Sequence, residues 1–345
     1  LEMLGEPCVC HSYVRGGAPS MVKRVGGGLL GADFVLDNGH YKLSKIYSGL
    51  NWNPDLRAPL TEPGVNVKEG EYILAVNGHD LEQQSNIFEV FENTSGKQVE
   101  LLISPTTKVE DGRKVTVVPI SSESSLRNRD WIEGNRKKVE ELSDGKLGYV
   151  YLPNTGSGGY SYFNRYFFPQ SDKEGMVIDE RFNGGGQVAN YIIEYLNKDL
   201  LNYWAPREGP DYESPFAASF GPKAMIINEF AGSGGDWMPF YFRETGGGKL
   251  VGKRTWGGLV GIGGTPGLMD GGSVTAPNFG IFSRDGKWII ENEGVAPDIE
   301  IEMNPKAIIE GHDPQLEEAV RVVLEELKTK KHVKTPRPKF PVRRR

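Results

Sequence analysis

The feature that most constrains this chain is a short apolar run that breaks into a glycine-dense turn. Ala224-Met225-Ile226-Ile227 follows Pro222 and Lys223 and reads as a buried strand. Asn228-Glu229-Phe230-Ala231-Gly232-Ser233-Gly234-Gly235-Asp236 comes next, and Trp237-Met238-Pro239-Phe240 continues it with the acidic start and early proline of a helix N-terminus. Ser233 is thus expected on a tight strand-to-helix turn, beside the N–H groups of Gly234 and Gly235. A turn of that kind can lift a serine hydroxyl clear of the backbone and aim amides at a developing oxyanion. It can equally use the serine as an ordinary helix cap. The segment by itself leaves both readings open.

A second run repeats the pattern. Met176-Val177-Ile178-Asp179 reads as a buried strand that ends in Glu180-Arg181-Phe182-Asn183-Gly184-Gly185-Gly186, with a helix over 187–197. Strands at 146–152 and 250–251 and a helix over 126–142 complete an alternating order, so an α/β domain over 105–327 is expected, with ligands beyond the carboxyl ends of its strands. The triple glycine lacks the Gly-Lys-Ser/Thr ending of a phosphate loop and the spacing of a dinucleotide fingerprint. Its exposed amides suit the second half of an oxyanion hole opposite Ser233. Residues 257–264 read as a mobile loop near the site, 278–283 and 287–290 as paired strands around Asp285-Gly286, and 313–328 as a helix with Leu316, Val320, Val323 and Leu327 on one side.

Residues 24–104 change character to short strands. Pro63-Gly64, the pair Gly70-Glu71 and the strand Tyr72-Ile73-Leu74-Ala75-Val76 ending in Asn77-Gly78 resemble the signature of a PDZ domain, with 99–103 as its closing strand and 105–123 as a connector. By that resemblance the loop Gly28-Leu29-Leu30-Gly31 receives a peptide's terminal carboxylate, which makes Leu29, Leu30 and Gly31 candidate peptide-binding residues. The same loop can also simply turn the chain.

At 345 residues the chain has room for two domains, and 38% hydrophobic against 25% charged residues describes a soluble globular protein. No apolar run approaches the roughly 20 residues of a membrane helix. The chain begins with Leu1 and opens inside structured-looking sequence, as a piece of a longer polypeptide would. Cys8 and Cys10 are too close for a structural disulfide and too few for a zinc site, which points to a reducing compartment. Residues 328–345 carry nine of the basic residues and no acid, leaving the rest at 31 basic against 46 acidic. An acidic body argues against a nucleic-acid partner, and the basic tail, broken by Pro336, Pro338 and Pro341, is expected to be disordered. Of the five histidines, His40 and His79 fall in turns of the PDZ-like region, His312 precedes an acidic helix and His332 lies in the tail. His11 is what remains for a catalytic base.

Taken together and in order, Cys10-His11, the PDZ-like region, 179–186, 228–236 and 291–298 resemble the tricorn-type peptidases of the C-terminal processing peptidase superfamily. The resemblance covers all but the tail and matches the C-terminal portion of that family. It implies a crotonase/ClpP-like α/β catalytic domain with the PDZ-like domain inserted after residues 1–23, which carry the histidine. It further implies Ser233 as nucleophile, His11 as base, Glu291 as the acid that orients it with Glu293 as competitor, and the N–H groups of Gly186 and Gly234 as the oxyanion hole. Cys10 stands where the family has serine, and a thiol is a poorer hydrogen-bond partner than a hydroxyl. The implied activity is hydrolysis of oligopeptides through an acyl-enzyme, without cofactor or metal, in a cytoplasmic homo-oligomer whose upstream domains lie outside this sequence, and with no membrane partner. The competing readings are an inactive PDZ-bearing scaffold, an α/β-hydrolase esterase, which would want glycine at Ala231, and a crotonase-like acyl-CoA site.

Overall fold

A computed structural model describes residues 8–16, 24–81 and 86–342, and the chain divides into two compact units, 20–134 and 1–19 with 135–345. Sequence readings on 1–7, 17–23, 82–85 and 343–345 lie outside the described residues.

The smaller unit is an antiparallel sheet of β1 (Ala32–Asp37), β2 (His40–Ile46), β3 (Tyr72–Val76), β4 (Val99–Ser104) and β5 (Arg113–Val117) in that spatial order. Asn-Gly pairs turn its hairpins: Asn38 and Gly39 have φ of 51° and 79°, Asn77 and Gly78 of 51° and 78°, the left-handed pair a tight two-residue turn requires. Leu43, Ile73, Leu101 and Ile103 lie at its fully buried centre. The sheet runs one strand past its expected end. β5 pairs with β4 from Val99↔Val117 to Ile103↔Arg113, within the stretch read as a connector. Its charged residues Arg113 and Lys114 and its mostly half-exposed character hide the strand from a search for apolar runs.

The larger unit is built on a parallel sheet. In spatial order it comprises β10 (Ile299–Glu300), β9 (Lys249–Gly252), β8 (Lys223–Ile227), β7 (Gly175–Asp179) and β6 (Leu147–Tyr151). The side chains of Met176, Val177, Ile178, Met225, Ile226 and Ile227 are wholly buried, each worth about 1.5–3 kcal/mol relative to exposure. Helices α1 (Ser124–Leu142), α2 (Ser157–Phe167), α3 (Ala189–Leu196), α4 (Gly234–Glu244) and α5 (Pro314–Leu327) accompany the strands, and the division between the units falls inside α1. On α5, Leu316, Ala319, Val320, Val323 and Leu327 are buried, the spacing of one helical face. Pro314 opens the helix and the Asp313 carboxylate caps it through the Leu316 N–H at 3.1 Å. That carboxylate also receives Arg181, whose buried guanidinium bridges it to Asp179 at 2.8 and 2.7 Å.

Two expectations change. The 278–290 region is paired within itself by one isolated bridge, Phe282↔Trp288, in place of a ladder, and Phe279 bridges instead to Gly261, as its four consecutive half-exposed or exposed positions at 279–282 allow. The basic tail, expected to be disordered, meets the hairpin of Asn202–Trp204 and Tyr212–Ser214 between His332 and Arg337. His332 meets Glu213 at 2.6 Å, Arg337 donates to Asp211 at 2.7 Å, and the Thr335 N–H donates to the Tyr203 hydroxyl at 3.1 Å. Opposite charge on the hairpin supplies what the tail's composition lacks.

Candidate active site

Both glycine turns leave the sheet at its carboxyl edge, where β7 and β8 are adjacent. They pack so closely that side chains are excluded. A Cβ on Gly234 would stand 2.1 Å from Thr155 Oγ1 and 2.4 Å from the Gly186 carbonyl, and one on Gly185 would stand 2.6 Å from Ser233 Cβ. Gly185 and Gly186 also hold φ of 82° and 139°, which glycine adopts at little cost. Glycine therefore lets the two turns touch and sets the amides of Gly186 and Gly234 beside Ser233.

Ser233 occupies the N-cap position of α4 with φ 57° and ψ −118°, a conformation that costs a non-glycine residue about 1–3 kcal/mol. Its carbonyl, rather than its hydroxyl, takes the N–H groups of Asp236 at 2.9 Å and Trp237 at 3.1 Å. Asp236, which sequence reading treats only as an acidic helix start, holds the turn in place. Its carboxylate accepts the N–H of Ser233 at 2.9 Å, of Gly257 at 2.7 Å and of Gly258 at 3.0 Å. Burial pushes this carboxyl above its usual range against the opposing pull of Thr255 and those amides. The signal for it in sequence was an acid three residues past the serine, the second half of a capping box.

The segment carrying His11 reaches the site from the far end of the chain. Val14–Arg15 pairs antiparallel with Ser273–Val274. The Thr275 hydroxyl donates to the His11 carbonyl at 2.7 Å and accepts the Tyr13 N–H at 2.9 Å, and Asn292 donates to the Cys8 carbonyl at 2.9 Å. His11 itself has φ 61°, and its ring lies 6.5 Å from Trp256 and 6.0 Å from Tyr13. Ser233, Gly234, Gly186 and His11 line one cavity of about 510 Å³, whose remaining wall includes Trp237, Leu259, Ile262 and Phe279. No hydrogen bond joins His11 to Ser233 among the described residues, and the His11 Nδ1 is buried without a partner.

Glu291 meets the main chain next to the histidine. One carboxylate oxygen accepts the Cys10 N–H at 3.0 Å; the other accepts the Leu259 and Val260 N–H groups at 2.7 and 2.9 Å. Partial burial opposes ionisation here, yet the amides of Val260, Cys10 and Leu259 outweigh it and hold the carboxyl below its usual range. The Cys10 thiol is pushed up to about 11, first by burial and then by the Glu291 charge, so it remains a neutral thiol. Its sulfur lies 4.0 Å from the Gly257 carbonyl. Glu293, the competitor, is exposed, and its carbonyl takes Arg254 at 2.6 Å. The residues on either side of Glu291, Ile290 and Asn292, both hold positive φ, at 75° and 62°. Strained backbone thus falls on or beside all three of Ser233, His11 and Glu291.

The other expected site residues lie in the smaller unit, where the Leu29 and Gly31 amides already have partners within the chain: Ile120 for Leu29 at 2.8 Å and Glu123 for Gly31 at 3.1 Å. Among the described residues no group of three His, Cys, Asp or Glu is placed to hold a metal ion, and no helix is long and apolar enough to cross a membrane.

A parallel sheet with a strained serine at its carboxyl edge, glycine amides beside it and a histidine across the cavity defines a serine-type peptidase. The comparisons agree with that class and narrow it. Residues 146–301 match the model of peptidase family S41, and residues 28–122 match the tricorn protease PDZ domain. The tricorn protease of Thermoplasma acidophilum is 37% identical over 95% of this chain and 30% of its own length. Tricorn protease homolog 1 of Streptomyces coelicolor is 35% identical over 94% of this chain and 30% of its own length. The crystal structure of the tricorn protease superposes with a TM-score of 0.88 at 37% identity, covering 95% of this chain and 32% of that one. This chain belongs to the S41 serine peptidases and corresponds to the C-terminal portion of tricorn proteases. It spans about a third of the length of the curated relatives it matches.

Proposed function

We propose that this chain carries the catalytic centre of an enzyme that hydrolyses peptide bonds of oligopeptides. Ser233 Oγ attacks the scissile carbonyl as His11 takes its proton, and the N–H groups of Gly186 and Gly234 receive the oxyanion of the tetrahedral adduct. Collapse expels the amine, which leaves with the proton from His11, and an acyl-Ser233 ester remains. Water, deprotonated by His11, attacks that ester; the acid leaves as Ser233 Oγ takes the proton back from His11. Glu291 acts on His11 through Cys10, as a positioning group for the histidine segment.

The observation that carries this reading is the shared cavity, into which a serine, a histidine and the two glycine turns open together. A fluorophosphonate probe tests it. The chain is expected to label at Ser233, and Ser233→Ala to abolish labelling; an unlabelled, folded chain would overturn the reading. The unpartnered His11 Nδ1 and the thiol at Cys10 favour one alternative, a scaffold without turnover, which predicts that unlabelled result. The proposal extends to a homo-oligomeric, cytoplasmic assembly with further domains upstream.

A further inference from the structure

The glycine loop of the smaller unit, expected to receive a peptide carboxylate, already holds a carboxylate of its own. Glu123 directly precedes α1, and its side chain spans from Arg127 on that helix to the loop. Oε2 accepts the Gly31 N–H at 3.1 Å, while Oε1 accepts Arg127 Nε at 2.8 Å and Nη2 at 2.5 Å. A backbone amide on one oxygen and a guanidinium on the other is the arrangement a terminal carboxylate would find. Gly31 reaches it with φ 71°, and a Cβ there would press on Leu126 at 3.0 Å. The adjoining amides are also committed: Gly28 N–H donates to Phe91 and Leu29 N–H to Ile120, both at 2.8 Å.

The groove beside the loop is closed as well. β1 is the edge strand of its sheet, so an added peptide strand would run along its free side. There the Phe34 and Phe88 rings meet edge to face at 6.4 Å, and the space bounded by Leu30, Phe34, Ile87 and Phe91 amounts to about 10 Å³, about the room one water needs. Arg127 does not depend on Glu123 for its position, because it also pairs with Asp33 at 2.7 Å and donates to the Tyr47 hydroxyl at 2.7 Å.

We propose that Glu123 is a built-in ligand of the Gly31 loop, and that this unit takes a peptide with a free carboxylate and an apolar last side chain only when Glu123 is withdrawn. The apolar groove walls set the second requirement. The proposal stands apart from the catalytic reading and is tested in the full chain carrying Ser233→Ala, so that no probe is cleaved. The probe is a short fluorescein-labelled peptide ending in valine, offered as free acid and as amide, with binding read by fluorescence polarisation. With Glu123→Ala, the free acid is expected to bind at least about tenfold more tightly than its amide, and about tenfold more tightly than it binds the chain that keeps Glu123. If the chain with Glu123 binds the free acid as tightly as Glu123→Ala does, or if Glu123→Ala does not distinguish acid from amide, the proposal fails. Should Glu123→Ala not fold, Glu123→Met keeps the side-chain length, removes the acceptor for the Gly31 N–H and the charge facing Arg127, and decides by the same comparison.

Discussion

The carboxylate of Glu291 accepts the backbone N–H of Cys10 at 3.0 Å, across 281 positions of sequence. The acid therefore holds the histidine segment by its main chain, and the side chain that precedes the histidine in sequence is a thiol held neutral. Among the described residues His11 Nδ1 has no hydrogen-bond partner, and such a partner is what fixes the tautomer a general base needs.

Cys10→Ser should repair that link. A hydroxyl can donate to Glu291 and accept from His11 Nδ1–H at ordinary hydrogen-bond distances, which a thiol does poorly. The expected result is a rise in fluorophosphonate labelling rate and in kcat/KM of about tenfold, corresponding to about 1.4 kcal/mol of transition-state stabilisation. Labelling and turnover rates of the two chains, measured side by side, check it; equal rates would show that Cys10 is not on the path from acid to base.

Gly234→Ala should separate the two turns. The added methyl would meet Thr155 Oγ1 at 2.1 Å and the Gly186 carbonyl at 2.4 Å, so one turn must retreat and carry its amide with it. Loss of an oxyanion donor costs roughly 10²–10³ in kcat, and overpacking costs about 1–3 kcal/mol of stability. Peptide turnover and denaturant unfolding measured on the same preparation separate the two effects. A kcat within a factor of about three of the parent would remove Gly234 from the oxyanion role.

These glycines were legible because each ends a short apolar strand, and a fully buried strand is the simplest pattern a sequence carries. The PDZ-like hairpins were legible for a similar reason, since Asn77-Gly78 can hardly turn in another way. Contacts made between distant segments were not. Asp236 looks like any helix-start acid until Gly257 and Gly258, more than twenty residues on, place their amides on it. Glu123 looks like a surface acid until Gly31, 92 positions earlier, meets it. Likewise β5 carries charged, solvent-facing side chains on a backbone ladder, and the tail is held by polar contacts, neither of which reads as an apolar run.

Arg181→Met tests the buried ion network beneath the site. Arg181, Asp179 and Asp313 lie almost wholly out of solvent, and the guanidinium bridges the two carboxylates at 2.7 and 2.8 Å. Removing it leaves both acids buried and unpaired, a change that typically costs 3–5 kcal/mol. Because Asp313 caps α5 and Asp179 ends β7, the loss should appear as a lower urea midpoint for the whole unit. A midpoint shift equivalent to less than about 1 kcal/mol would mean that water reaches these acids.

Lys223 gives a pH signature of opposite sign to that of a lysine held in an ion pair. Its ammonium is buried at the start of β8 and donates to the Ser219 and Gly221 carbonyls at 2.8 and 3.0 Å, and burial lowers its pKa from 10.5 to about 8. Below pH 8 the lysine is protonated in both folded and unfolded chains, and the folded state bears the cost of a buried charge. Between pH 8 and 10.5 the folded chain has released the proton that the unfolded chain still binds, so stability rises with pH through this window. A shift of this size is linked to about 3 kcal/mol. In Lys223→Met that rise should disappear, leaving the difference between parent and variant to change by this amount from pH 7 to 10.5. Urea unfolding at several pH values measures it, and a difference that stays constant with pH would show that the two carbonyls fully compensate the charge.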